Sequence, residues 1–214
     1  MPQKYVVYLN EKAIFFNNPQ GLQDQPLDII PLSGRTENTV LETVFFVDNS
    51  ENDKIAVLLN EISFEEGIDV LQKHLKFLKA AGGIVVNKQN QHLFIHRLGK
   101  WDLPKGKASK NETPMFTASR EIEEETGIHV NADGHFLCHT YHIYKLKRTS
   151  ILKKTWWYKF ETEDSSIPLP QTEEAITQAV WLNSEEADDA ASQSYPSIKD
   201  VWNCFVSAIP DQHR

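Results

Sequence analysis

The chain has 214 residues, with 40% hydrophobic and 24% charged side chains, which is an ordinary globular composition with enough apolar material for a sizeable core. Its formal net charge of −8 argues against a generic nucleic-acid or anionic-membrane binder, which would more often be basic. The two cysteines, Cys138 and Cys204, have no paired spacing, so neither a disulfide framework nor a zinc knuckle is expected. The opening MPQKYVVYLN lacks the apolar run of a signal peptide, and no stretch approaches the ~20 apolar residues of a membrane span, so a cytoplasmic protein is expected.

In chain order, YVVYLN and KAIFFNN are β-rich runs separated by Glu11 and Lys12 and read as a hairpin. The polar segment with Pro19, Pro26 and Pro31 reads as loop, and TVLETVFFVDN and KIAVLLN read as strands. Ser63 opens a helical pattern in which Phe64, Ile68, Leu71, Leu75 and Leu78 form one apolar stripe, expected to pack on the N-terminal strands, with a dimer seam as the alternative. Ala80 to Gly83 break this pattern, and a soft domain boundary falls near Lys79. Residues 1–79 would form a small α+β module, and residues 80–214 a second domain.

GGIVVN and HLFIHR predict a hairpin, and Thr113-Pro114 and Gly127 are start and stop signals for a helix over Pro114–Thr126. Further strands follow, then an acidic, proline-containing loop at 164–174 and a strand near Ala179–Leu182. Ser184 and Ser197 are expected to cap two closing helices, the last with Ile198, Val201, Trp202 and Phe205 on one face. Strands interleaved with helices predict a mixed sheet sandwiched by helices, an α/β class.

Four of the five residues from Glu121 to Glu125 are glutamates. At about 100° per residue, Glu121, Glu125 (about 40° away) and Glu124 (about −60°) form one wedge, while Glu123 (about 200°) faces away. Acids crowded near a helix C-terminus repel one another and oppose the helix dipole. A solvated acidic face is one reading. The other is a set of oxygen ligands for a hard cation, Mg2+ or Mn2+. The preceding WDLPKGK favours the second, because Gly106 between Lys105 and Lys107 offers amides and ammonium groups to phosphate.

The spacing of Gly106, Glu112, Arg120-Glu121-Ile122, Glu124-Glu125 and Gly127-Ile128 resembles the Nudix box, GX5EX7REUXEEXGU, at every fixed position. The resemblance implies an α/β/α sandwich from about Gly82 to the C-terminal helix, preceded by an unrecognised N-terminal module. It implies hydrolysis of a pyrophosphate bond in a nucleoside diphosphate linked to another moiety, assisted by one to three Mg2+ or Mn2+ ions. Glu121, Glu124 and Glu125 would be the metal ligands, Arg120 would orient them, Glu112 would assist the metal-bound water or hold the loop, and Gly106 would let the loop approach the helix. The general base varies in this superfamily. It would lie in the box, at Glu125, or downstream among Glu173 and Glu174, with Glu174 favoured by the run QTEEAI before a strand.

Two basic groups stand out in an acidic chain: Arg97, Lys100, Lys105, Lys107 and Lys110, and Lys145, Lys147, Arg148, Lys153, Lys154 and Lys159. They would steer an anionic substrate, with Lys105, Lys107, Lys153 and Lys154 as phosphate contacts. Tyr141, Tyr144, Trp156, Trp157 and Tyr158 are candidates for stacking on a base. No proline stands near Ile143, where ADP-ribose pyrophosphatases would carry one, whereas Tyr144 falls where dinucleoside polyphosphate hydrolases carry a tyrosine. The favoured substrate is a dinucleoside polyphosphate. The alternatives are a diphosphoinositol polyphosphate, a nucleoside triphosphate, and a non-catalytic nucleotide-sensing module. The expected partner is a small phosphorylated molecule rather than a nucleic acid or membrane, with homodimerisation through the N-terminal module as one option.

Overall fold

The computed structural model describes residues 5–17 and 28–208. The chain divides into two compact units. Among the described residues, one holds residues 79–140 and 155–208; the other holds residues 5–17, 28–78 and 141–154. The expected boundary at Lys79 does not anticipate that residues 141–154 return to the N-terminal unit. Among the described residues no helix is long and apolar enough to cross a membrane.

In the N-terminal unit, β1 (Val6–Leu9) and β2 (Lys12–Phe16) form the expected antiparallel hairpin. β2 lies parallel to β4 (Ile55–Leu59), and β4 parallel to β3 (Asp28–Leu32). β1 pairs in parallel with the distal part of β9 (His135–Leu146), at Tyr141 and His142. The segment expected to be loop therefore contains a strand at Pro31. That residue is tolerated because, among the described residues, β3 pairs only with β4 and ends the ladder, where a missing N–H costs nothing. Pro19 and Pro26 lie outside the described residues.

TVLETVFFVDN, read as a strand from its β-branched and aromatic residues, is instead helix α1 (Glu37–Asn49). Thr36 caps it by accepting from the Thr39 N–H at 3.1 Å, and Val40, Thr43 and Val47 supply a buried stripe at helical spacing. Packing against the core decides the conformation over intrinsic preference. α2 (Phe64–His74) begins at Ser63 as expected, with a capping box to Glu66. It buries Phe64, Ile68 and Leu71 in a core shared with Val7, Ile14, Phe16 and Leu59. The helix stops at His74, so Leu78 belongs to the next strand rather than to the helical stripe. That strand, β5 (Lys76–Asn87), also runs straight through Ala80–Gly83.

The second unit is built on a sheet ordered β11, β6, β5, β10, β9, in which β6 is His92–Arg97, β10 is Thr149–Thr162 and β11 is Ile176–Leu182. β7 (Lys100–Asp102) pairs with β6, and β8 (Lys105–Lys107) pairs with β5. Strand alternation splits neighbouring residues between two cores. Ile84, Phe94 and Trp157 pack with α4 (Ser184–Ser192) and α5 (Pro196–Ala208), whereas Val85, Leu93 and Tyr158 pack with α3 (Pro114–Thr126). The result is an α/β/α sandwich. Two caps are shifted by one residue from expectation. Asn183, not Ser184, caps α4, because its side-chain oxygen accepts from the Glu186 N–H at 3.0 Å. α5 begins at Pro196, so Ser197 lies inside it, while Ile198, Val201, Trp202 and Phe205 are buried on one face.

Candidate functional site

The acid cluster lies on α3. Thr113 caps the helix by accepting from the Phe116 N–H at 3.3 Å, Pro114 fills its first position, and Gly127 ends it with φ of 70°. β8 places Gly106 opposite Ala81 and against the helix. A Cβ on Gly106 would stand 1.8 Å from Glu121 Oε2, so only glycine permits this approach. Gly82 serves the same fit one ladder position away, since a Cβ there would stand 2.3 Å from the Pro104 carbonyl oxygen.

Arg120 is the hub. Its Nη1 lies 2.7 Å from Glu121 Oε1 and 2.7 Å from Glu124 Oε2. Its Nε donates to Glu112 Oε1 at 2.9 Å, and its Nη2 donates to Glu112 Oε2 at 3.0 Å and to the Lys107 carbonyl at 3.1 Å. Glu112 Oε2 also accepts from the Ser109 N–H and the Thr117 hydroxyl, both at 2.9 Å. The Arg120 guanidinium, then the Ser109 amide, hold the Glu112 carboxyl at about 2, well below the usual carboxylate value. One arginine thus ties the loop, the start of the helix and two box acids together. Glu123 points elsewhere, with Oε2 3.3 Å from His129 Nδ1.

Glu125 is fully buried. Its Oε2 accepts the Lys105 backbone N–H at 2.9 Å, but its Oε1 has no hydrogen-bond partner. Burial pushes its carboxyl up to about 7 against the pull of Lys105 and Arg97. Burial also raises Glu121, opposed by Arg120 and reinforced by Glu124 and Glu174. A buried carboxylate oxygen without a partner is costly unless a cation meets it. An oxygen-only donor set of Glu121, Glu124 and Glu125 suits a hard divalent ion, so these residues fit Mg2+ or Mn2+. Among the described residues no three His, Cys, Asp or Glu side chains are gathered as a ready-made ion cage, and Arg120 stands between Glu121 and Glu124.

Residues 163–175 form a strap beside the helix. The Leu169 and Gln171 N–H groups donate to the carbonyls of Thr126 at 2.8 Å and Glu125 at 3.1 Å, satisfying the open end of α3. The strap ends in a 3-10 turn, Thr172–Glu174. Glu174 Oε2 lies 3.4 Å from Arg97 Nη2; Glu173 and Glu174 are both exposed.

The remaining sequence candidates divide sharply. Lys107 is exposed on the loop, but the Lys105 ammonium turns inward onto Asp102 Oδ2 at 2.6 Å and the Leu103 carbonyl at 3.3 Å. Tyr144, Lys153 and Lys154 belong to the N-terminal unit, where Lys153 lies over the Tyr144 ring at 5.6 Å and Lys154 over Tyr141 at 5.3 Å. Lys145 pairs with Asp48, and Lys159 with Glu161 at 2.7 Å, so part of the second basic run is locally neutralised. Trp157 is buried and donates to the Thr140 hydroxyl at 2.8 Å; Tyr141 and Tyr158 are buried too, and Trp156 is half-buried. Sequence reasoning missed the positions of Arg97, Asp102, Thr117 and Gln171 in this network. Of these, only the Arg97 charge gave a sequence signal, and its partner is set by the β6–β11 register.

An acid cluster organised by one arginine beside a lysine-flanked loop, on the helix of an α/β/α sandwich, defines the class of site. The NUDIX domain model matches residues 76–201, more than half of the chain. The chain belongs to the Nudix family. It is 28% identical over 157 residues to an 8-oxo-(d)GTP phosphatase of Mycolicibacterium smegmatis, a match covering 67% of this chain and 46% of that protein. It is 40% identical over 62 residues to an 8-oxo-dGTP diphosphatase of Proteus vulgaris, covering 26% of this chain and 54% of that one. The chain thus spans about half the length of these two relatives. The NUDIX domain of Shewanella oneidensis NrtR, solved with ADP ribose, shares the fold with a TM-score of 0.51 and 14% identity over 64% of this chain and 92% of that one.

Proposed function

We propose that the chain hydrolyses a pyrophosphate bond in a nucleoside 5′-polyphosphate, with a divalent cation held by Glu121, Glu124 and Glu125. The observation that carries this reading is the buried, unpartnered Glu125 Oε1 within an acid cluster already ordered by Arg120. When bound, Mg2+ or Mn2+ would neutralise phosphate oxygens and acidify a bound water.

The protein's own residues do the rest. Glu112 and the Lys107 carbonyl fix Arg120, which aims Glu121 and Glu124. The Lys105 N–H holds one oxygen of Glu125 and leaves the other for the cation. Lys107, exposed beside Gly106, contacts the substrate phosphates. Glu174 acts as general base. As a water oxygen bonds to phosphorus, a water proton passes to the Glu174 carboxylate, and the bridging P–O bond breaks to release the second phosphate.

Among substrates, the dinucleoside polyphosphate reading rests on Tyr144, on WDLPKGK and on the basic run from Lys145 to Lys159. The nucleoside triphosphate reading is supported by relatives named for 8-oxo-(d)GTP and 8-oxo-dGTP, and we favour it. The test is a 31P NMR panel with Mg2+ or Mn2+ over 8-oxo-dGTP, dGTP, diadenosine tetraphosphate and a diphosphoinositol polyphosphate. Turnover of the triphosphates with a higher kcat/KM is expected. Turnover of only the inositol compound would overturn the nucleotide assignment, and stoichiometric nucleotide binding without product would support a sensing role instead.

A further inference from the structure

The charges around the 3-10 turn hold an arrangement that the box does not account for. Arg97 is the last residue of β6, and the β6–β11 ladder pairs it with Ile176, two residues after Glu174. The strand register therefore fixes Arg97 against the turn that carries Glu174. A left-handed Ala175 at φ of 60° and a register shift between Ile176 and Gln178 let the chain pass from turn to ladder while Glu174 stays on the Arg97 side. From the other end, the strap is tied to the last turn of α3 by its Leu169 and Gln171 N–H groups. The Glu174 backbone is thus anchored both to β6 and to the helix that carries the box acids.

We propose that Arg97 is the positioning residue for Glu174: the guanidinium, fixed by β6, holds the carboxylate of an otherwise exposed turn beside the acid cluster.

The geometry gives three reasons. Among the described residues the Arg97–Glu174 pair, 3.4 Å apart, is the side-chain contact of Glu174, whose carboxylate would otherwise be free to rotate into solvent. Arg97 is only 30% exposed at its side chain, so its own position is restrained, whereas Glu174 is 46% exposed. The Arg97 Nε is buried without a hydrogen-bond partner, so this guanidinium is kept in place at a cost, an arrangement expected where function and not stability sets the residue. Glu174 also acts electrostatically on Glu121, and Arg97 on Glu125, which sets both partners in the neighbourhood of the box acids. Loosely held carboxylates make poor bases because misplacement by about 1 Å costs roughly a hundredfold in rate.

This inference rests on the reading of Glu174 as base, and a double-mutant cycle separates the two. Arg97→Gln, Arg97→Lys, Glu174→Gln and Arg97→Gln/Glu174→Gln are assayed with Mg2+ on the substrate that turns over fastest, and Mn2+ binding is followed by EPR. Glu174→Gln should lower kcat about a hundredfold. Arg97→Gln should lower kcat about tenfold with KM unchanged, have no further effect in the Glu174→Gln background, and be partly rescued by Arg97→Lys. Mn2+ affinity should stay within about twofold throughout. Wild-type turnover by Glu174→Gln would remove Glu174 as base and with it any task for Arg97. A slow Glu174→Gln with Arg97→Gln fully additive to it, or a loss of Mn2+ affinity in Arg97→Gln, would leave the base intact and overturn the role given to Arg97, because the arginine would then act on Glu125 or on the fold.

Discussion

At Gly106 the absence of a side chain is what lets loop and helix meet, since a Cβ would stand 1.8 Å from the Glu121 carboxylate. Gly106→Ala should displace Glu121, and a shift of about 1 Å in a catalytic group costs roughly a hundredfold. Steady-state kinetics should show at least that loss in kcat/KM, and activity within about twofold of wild type would contradict the close approach. Glu125 makes a different prediction. Its carboxyl rises from an ordinary 4.5 to about 7, so the folded state prefers the proton. The stability this contributes is fully present below the unfolded value and is lost as pH rises through about 7, a swing of about 3 kcal/mol. In EDTA, Glu125→Gln should therefore unfold at progressively higher urea than wild type as pH rises from about 4.5 to about 7.5, and added Mg2+ should narrow the gap. A gap that does not change with pH would contradict the burial argument.

The helix carrying the acids was legible in the sequence from Thr113-Pro114 to Gly127, because caps are local and depend on neighbouring residues only. Removing the Thr113 cap with Thr113→Ala should cost about 1 kcal/mol and lower Tm by roughly 2–4 °C in differential scanning calorimetry, and no shift would mean that the cap is idle. Elements whose state is set by distant packing were not legible. Val40, Thr43 and Val47 read as β-formers in isolation and become helix α1 because their stripe meets the core of β2 and β4. Ala80–Gly83 looked like a break and is continuous strand, because the small residues at 81 and 82 admit β8 alongside. Likewise the box residues could be placed on one helix from spacing alone, but the pairing of Arg97 with Glu174, and the turn of the Lys105 ammonium towards Asp102, depend on strand register and on a loop path.

For the whole chain, the sequence suggested a division near Lys79, while the compact N-terminal unit also takes in Tyr141–Lys154 from within the region matched by the NUDIX model. That return is a long-range pairing of β1 with β9, which no local pattern announces. A fragment of residues 1–79 lacks this partner strand and part of its core, Tyr141, Ile143 and Leu152. It should show no cooperative thermal transition by circular dichroism, and a sharp transition would mean that the first 79 residues fold alone.

Metal-dependent pyrophosphate hydrolysis at the box acids is tested most directly by product release from 8-oxo-dGTP and dGTP in H2 18O, with Mg2+, with EDTA, and with Glu124→Gln in Mg2+. Turnover with one 18O incorporated into a phosphate product is expected, abolished by EDTA and reduced at least a hundredfold in Glu124→Gln. Hydrolysis that persists in EDTA or at wild-type rate in Glu124→Gln would contradict it.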